Sequence, residues 1–378
     1  MSTLFSIGIF LSFFLAVLLF TKRHRTLSDN ILGTWLITIG FYLLNYDIYL
    51  LGYWEIYPHL VGILHPFPLL FGPFLYLYIA FSLRKDQHFH KMDLLHFLPF
   101  TLLYLSMMTF YFGYSAEEKI RVDQMDSASE FRMIMMISLV GFVLSGIIYP
   151  IISYRKIGKY QKMINQNFAY AERISMRWLK LMIHSLTIIV VVVAAVSLLK
   201  EGLGIVFGFN TDLIFFGLIV VFIFLLGYFG IRYQGIFSEE SIVDDLVEPQ
   251  SNGAYKKSGL KDAEAQWLQE KLQVLMATQK PFLEAKLSLS DLAGQLNTSS
   301  NNLSQVINRQ EEKNFYDFVN EYRVKEFIVR ATNPENKNLN LLGIAYDSGF
   351  NSKSSFNEVF KKQTGKTPSR YLKERQPG

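Results

Sequence analysis

The sequence predicts an all-α chain: a seven-transmembrane helical bundle followed by a cytoplasmic domain with two helix-turn-helix units. Three observations carry this. Residues 1–232 hold seven apolar segments long enough, or nearly so, to cross a bilayer. Residues 285–378 repeat one pattern of short amphipathic helices. The excess of positive charge lies in the second region. The 378 residues carry a net +5, with 18 Lys/Arg against 18 Asp/Glu in residues 1–253 and 19 against 14 in residues 254–378. An anionic partner would require such a distribution, although a merely basic soluble domain satisfies it equally.

The composition is 51% apolar and 15% aromatic with a mean hydropathy of +0.21, which is high for a soluble protein. There is no cysteine, so disulfides, thiolate metal sites and cysteine nucleophiles are excluded. The first residues run straight into an apolar stretch without a basic leader or a small-residue cleavage site, and read as a first span.

The spans fall near 4–20, 31–51, 60–83, 94–112, 133–152, 181–199 and 213–231. Loops one, three and five hold thirteen Lys/Arg, against four in loops two, four and six. Basic loops stay inside. The expected orientation is therefore N-terminus outside and C-terminus in the cytoplasm, and an odd number of spans agrees. Loop five is the most basic, which suits a topology signal and lipid anchor, with a contact to the soluble domain as the alternative.

Span three contains His65-Pro66-Phe67-Pro68 and Gly72-Pro73. Proline removes a backbone donor and kinks a helix, as a hinge or as a static bend. Asp47 in span two and His65 in span three fall toward the outer side, with Tyr46 and Tyr49 near Asp47 in sequence. Ionisable groups at membrane depth often mark a ligand path. The four residues form a candidate small-molecule sensing site, unless Asp47 and His65 are simply hydrated at the interface.

Residues 233–259 read as an acidic, flexible linker. Residues 260–284 hold an amphipathic helix that ends at Lys280-Pro281 and either packs on its own domain or pairs two chains as a homodimer. The repeat then begins. Its first copy has Leu289, Leu292, Ala293 and Leu296, then Leu303, Val306 and Ile307. Its second has Leu341, Ile344 and Ala345, then Phe356, Val359 and Phe360, lagging by 52 and then 53 residues. The second helix of the first copy leaves Asn301, Ser304, Gln305 and Asn308 on its outer face. Asn and Gln can bond the major-groove edge of adenine in bidentate fashion, and Ser bonds bases or phosphates. In the second copy the outer face carries Lys353, Ser354, Asn357, Glu358 and Lys361, and Arg370 follows as a phosphate candidate. A long helix near 314–331 joins the copies, and Gly349 stands where a left-handed helix cap is needed.

Ile344-Ala345-Tyr346-Asp347-Ser348-Gly349-Phe350, then Ser352, Phe356, Phe360-Lys361, Gly365 and Thr367-Pro368, resemble the signature of AraC-type transcription regulators. The resemblance spans about residues 285–375. It implies a monomeric unit of seven helices whose two reading helices enter successive major grooves on one face of double-stranded DNA. It further implies base contacts from Asn301, Ser304 and Gln305, and from Lys353, Ser354 and Asn357. RNA polymerase is a candidate partner of such a regulator. Two positions depart: Glu312 stands where the first copy would match Gly365, and Glu358 occupies a site that is often basic or polar. The seven-span domain is similar in architecture, and at Gly72-Pro73, to membrane-bound members of this family from Bacteroidetes-type bacteria.

No phosphate loop, kinase motif, HExxH or GxSxG occurs, so no catalytic residue, metal or cofactor is expected. The leading expectation is a membrane-tethered one-component transcription regulator that is not an enzyme. A seven-span transporter, or a membrane adaptor with a regulatory helical tail, is the alternative.

Overall fold

A computed structural model describes residues 2–84, 88–124, 129–170, 176–232, 262–336 and 338–374. The expected linker at 233–259 lies outside them. The described residues are helical throughout, apart from connecting turns and one isolated antiparallel bridge between Phe168 and Ser288. The chain divides into two compact units. One comprises Met1–Ile157 and Ser175–Leu246, the other Gly158–Ile174 and Val247–Gly378.

The first unit opens with α1 (Ser2–Thr21) packed on α2 (Leu27–Leu50). Their turn is closed by a capping box: the Thr26 hydroxyl accepts from Asp29 N, and the Asp29 carboxylate accepts from Thr26 N at 2.8 Å. The same carboxylate meets Lys22 at 3.1 Å. Both side chains are buried, so the ion pair and the backbone donor together offset the loss of water around them.

Short helices α3 (Tyr53–Ile56), α4 (Phe71–Ser82), α5 (Leu98–Ser106), α6 (Met108–Gly113) and α7 (Ala116–Gln124) follow. They precede the long α8 (Ser129–Asn167), α9 (Met176–Ser197) and α10 (Asp212–Arg232). Trp35 is fully buried, with its ring centroid 6.3 Å from Phe74 and 5.5 Å from Phe222, so one side chain joins α2, α4 and α10.

Among the described residues, six helical stretches are long and apolar enough to cross a membrane: Thr3–Thr21, Leu27–Leu50, Lys91–Gly113, Met133–Asn167, Trp178–Lys200 and Asp212–Gly230. The seventh expected span is a shorter apolar helix, Phe67–Ser82. Residues 61–66 ahead of it form turns rather than helix. Pro66 and Pro68 cannot donate the hydrogen bonds that would extend the helix backwards. Gly72 has a packing role. A Cβ there would lie 2.3 Å from Ser145 Oγ and 2.5 Å from Tyr149 Cδ2, so only glycine lets α4 approach α8 this closely.

In the second unit, α11 (Asp262–Thr278) buries Leu268, Leu272, Leu275 and Met276. They share a core with α12 (Leu289–Gln295), α13 (Ser300–Gln310) and Phe315, Phe318 and Val319 of α14 (Phe315–Thr332). Of the two roles expected for this first helix, packing on its own domain is therefore seen. The other end of α14 supplies Val324 and Phe327 to a second core. That core is completed by α15 (Leu341–Asp347), Phe350, α16 (Lys353–Thr364) and Leu372 of α17 (Pro368–Lys373). Each copy of the repeat thus has its own apolar centre, and α14 is the beam common to both.

Backbone conformation repeats with the sequence. Asn297 and Gly349, 52 residues apart, both take positive φ, at 53° and 93°. Glu312 and Gly365, 53 apart, do so at 52° and 72°. Glu312 therefore keeps the geometry of the glycine it replaces, at the modest cost of a left-handed non-glycine residue.

Gly349 has no such freedom. A Cβ there would sit 2.2 Å from the Phe282 carbonyl oxygen, a backbone atom, and 3.0 Å from Arg323 Nε. Replacing Gly349 by Ala combines left-handed strain of about 1–2 kcal/mol with an overpacking cost of about 1–3 kcal/mol. Thermal or denaturant unfolding of the variant should register a destabilisation near the sum; an unchanged melting profile would contradict the assigned turn.

Candidate nucleic-acid interface and membrane cavity

Both outer helices are set by serine caps. The Ser299 hydroxyl accepts from Asn302 N at the start of α13, and the Ser352 hydroxyl accepts from Ser355 N at the start of α16, each at 3.2 Å. Such caps satisfy amides that a helix start leaves unpaired. Leu303, Val306 and Ile307 then turn inward on α13, and Phe356, Val359 and Phe360 on α16. The 3.6-residue period carries the remaining positions outward.

On α13, Asn301, Ser304 and Gln305 are half-buried and Asn308 is exposed. The Asn308 amide donates to Ser304 O at 2.7 Å and to Ser304 Oγ at 3.1 Å, which fixes its rotamer against the helix. On α16, Lys353, Ser354, Asn357, Glu358 and Lys361 are all exposed. Its neighbour Lys362 reaches Asp317 of α14 at 2.7 Å and ties the outer helix to the beam. The Arg370 side chain is largely exposed and meets Glu374 at 3.0 Å, a carboxylate that also takes Lys366. An approaching phosphate would compete with Glu374 for both cations. The two outer faces differ in make-up: α13 offers amides, a hydroxyl and the exposed Arg309 in its last turn, whereas α16 carries Lys353 and Lys361 beside Glu358.

Arg323, on the helix that joins the copies, is given no role by the sequence reading. It is 1% exposed. Its Nε donates to Phe282 O at 2.7 Å, one terminal nitrogen to Glu284 O at 2.7 Å, and the other to Ala169 O at 2.9 Å and Asn320 Oδ1 at 3.3 Å. Burial brings the guanidinium down to about 10, so it stays charged at neutral pH. Its position in the i, i+4 pattern of α14, pointing inward beside Asn320, was the available signal.

In the first unit, a cavity of about 730 Å³ is lined by Tyr46, Tyr49 and His65, joined by Tyr42, Trp54 and Asp212. The Tyr46 ring stacks on Phe216 at 3.6 Å, Tyr49 lies 4.6 Å from Trp54, and His65 Nε2 is 2.8 Å from Ser138 Oγ. Three of the four residues expected to sense a ligand are brought together. Asp47 is not among the lining residues; it is buried on α2 instead. The inward and outward positions of a helix alternate every one or two residues, so neighbours 46 and 47 face different surroundings. Trp54 and Asp212 were not expected, because they lie outside the apolar stretches that define spans. Among the described residues no group of His, Asp or Glu is placed to hold a metal.

Residues 292–374 match the family described as a helix-turn-helix domain. No curated protein and no solved structure matches the chain. The matched segment begins within α12 and ends after α17, so it takes in both outer helices and the beam between them. Residues 292–374 are an AraC-type helix-turn-helix domain, in a chain whose N-terminal part holds helices long and apolar enough to cross a membrane.

Proposed function

We propose that the chain is a membrane-tethered one-component transcription regulator that reads a specific operator through α13 and α16 and is controlled by a signal received in its membrane unit. The observation that carries the DNA reading is the repeated pair of capped helices, each presenting polar side chains opposite an apolar core. Asn301, Ser304 and Gln305 on one helix, and Lys353, Ser354 and Asn357 on the other, are assigned to bases. Asn308, Lys361 and Arg370 are assigned to phosphates or flanking contacts. The regulator lies in a bacterial inner membrane with its C-terminal domain in the cytoplasm, where the chromosome is accessible.

DNA binding by the detergent-solubilised full chain should weaken steeply as salt rises, because basic groups release counterions from the duplex. Gln305→Ala and Lys353→Ala should each relax preference at one base position, at about 1–3 kcal/mol. Those positions should lie roughly 10 base pairs apart. Selection from a randomised duplex pool measures both; a uniform loss over all sequences would make these side chains phosphate contacts.

A reporter enzyme fused after Gly378 should be active only if it matures in the cytoplasm. Activity of an exported alkaline phosphatase at that position would place the helix-turn-helix domain on the wrong side and end the proposal.

For the signal, the supporting observation is a cavity of small-molecule size that gathers seven aromatic rings with a histidine, a lysine and an acid. An aromatic or apolar molecule with one hydrogen-bonding end suits this lining. Tyr46→Ala and His65→Ala should change the ligand-dependent part of reporter transcription across growth conditions, with membrane level and operator binding preserved. Normal regulation in both variants would remove the cavity from the signalling route.

A further inference from the structure

The second unit is not made from the C-terminal region alone. Residues Gly158–Ile174, which comprise the end of α8 and the residues after it, are part of it. Sequence reading gave this basic loop a topology role first and a domain contact second; the second is what the structure contains.

The seat is specific. Phe168 pairs with Ser288 in an antiparallel bridge, and Ala169 N donates to Leu287 O at 3.1 Å. The Ala169 carbonyl accepts from Arg323 at 2.9 Å and from Asn320 Nδ2 at 3.1 Å. Phe168 and Ala169 are buried at 8% and 1% exposure, and Ala169 belongs to the first core beside Leu287 and Leu289. Both donors to its carbonyl come from α14, the helix shared by the two cores. Arg323 also bonds Phe282 O, the atom that Gly349 of the second copy must avoid. A single guanidinium thus connects the loop segment, the approach to α12 and the turn of the second copy.

We propose that Phe168–Ala169 is a clasp by which α8 holds the DNA-reading unit, and that occupancy of its seat at Leu287, Ser288, Asn320 and Arg323 sets the presentation of α13 and α16. The linker after α10 is then a tether, and α8 carries the signal. The reasoning is one of satisfaction. Withdrawal of the segment takes one acceptor from each of two buried NH2 groups, leaving Asn320 Nδ2 with Tyr316 O and the Arg323 nitrogen with Asn320 Oδ1, and an unmatched buried N–H is costly. The beam must then repack around Arg323, and both reading helices are mounted on that beam. The proposal rests on the DNA-binding reading for its output but not on the cavity.

The chain contains no cysteine, so any disulfide is an engineered one. The hydrogen bond from Ala169 to Leu287 makes Phe168 and Ser288 a non-hydrogen-bonded antiparallel pair. Such pairs hold their Cα atoms about 4.5 Å apart, within disulfide reach. The full-length F168C/S288C variant in membrane vesicles should therefore cross-link on mild oxidation, as read by thiol labelling before and after reduction. The oxidised form should differ from the reduced form at least about fivefold in operator affinity. In a second arm, Ala169→Pro deletes the donor to Leu287. Amide exchange in α13 and α14 of that full chain should rise above wild type while exchange in α1 and α2 is unchanged. Absence of the disulfide overturns the clasp. A disulfide with equal affinity in both redox forms, or unaltered exchange in α13 and α14, overturns its control of the reading helices. Failure of wild type to bind any duplex strikes the DNA reading instead, and the cross-link and exchange arms still decide the clasp.

Discussion

The second unit is organised around a buried cation whose described hydrogen bonds go to amide oxygens rather than to a carboxylate. Arg323 spends its guanidinium on the carbonyl oxygens of Phe282, Glu284 and Ala169 and on the side-chain oxygen of Asn320. A buried charge is tolerated only when its donors are satisfied, and a rigid fork of five N–H groups can satisfy itself on separate backbone segments only if all of them converge. Convergence is therefore imposed on three stretches distant in sequence. The Phe282 carbonyl is in turn the atom that forbids a side chain at residue 349, so the turn of the second copy inherits its glycine from the arginine's requirement. The two apolar cores meet along α14 on either side of this point. Nearer the surface, Glu326 accepts from Lys280 and Arg330, each at 2.8 Å. Burial opposes its ionisation, but the two hydrogen-bonded cations outweigh burial and hold its carboxyl below the usual range.

A different constraint shapes the first unit. Apolar helices gain little from burial in a medium that is itself apolar, so close packing decides which of them associate. Gly72 against Ser145 and Tyr149, and Gly146 against Val190, show where backbones approach too closely for a Cβ. Trp35, Phe71, Phe74 and Phe222 fill the space between α2, α4 and α10 with rings. Pro66 and Pro68 shorten the helix that precedes this packing, and the turns they leave at residues 61–66 furnish Val61, Gly62, Leu64 and His65 to the cavity wall. The same prolines that make the segment a poor span thus help to open a hollow in the unit.

The two copies of the repeat share a backbone and divide their chemistry. The left-handed positions coincide at lags of 52 and 53 residues, including Glu312 in the place of a glycine. Yet α13 presents mainly amides, with Arg309 in its last turn, and α16 presents Lys353 and Lys361 beside Glu358. Amides read base edges and contribute little long-range attraction, whereas lysines draw the duplex in and contribute less to discrimination. Equal scaffolds with unequal surfaces suit a site whose two half-grooves are recognised in different ways.

The sequence by itself determined what is local or periodic. Apolar runs marked the membrane helices, and the 0, 3, 4 spacing marked the inward face of each short helix. Even the lag between copies was legible, because helix period and cap chemistry act over a few residues. Tertiary structure alone decided what depends on separated segments meeting. It fixed the burial of Arg323, the seating of Ala169 on it, the exclusion of Asp47 from the cavity and the inclusion of Asp212 and Trp54. Nothing in the local pattern around Ala169 marks it as an acceptor for a side chain 154 positions away. A carbonyl has no sequence signature, and its partner is chosen only when the chain has folded and the buried donors must be satisfied.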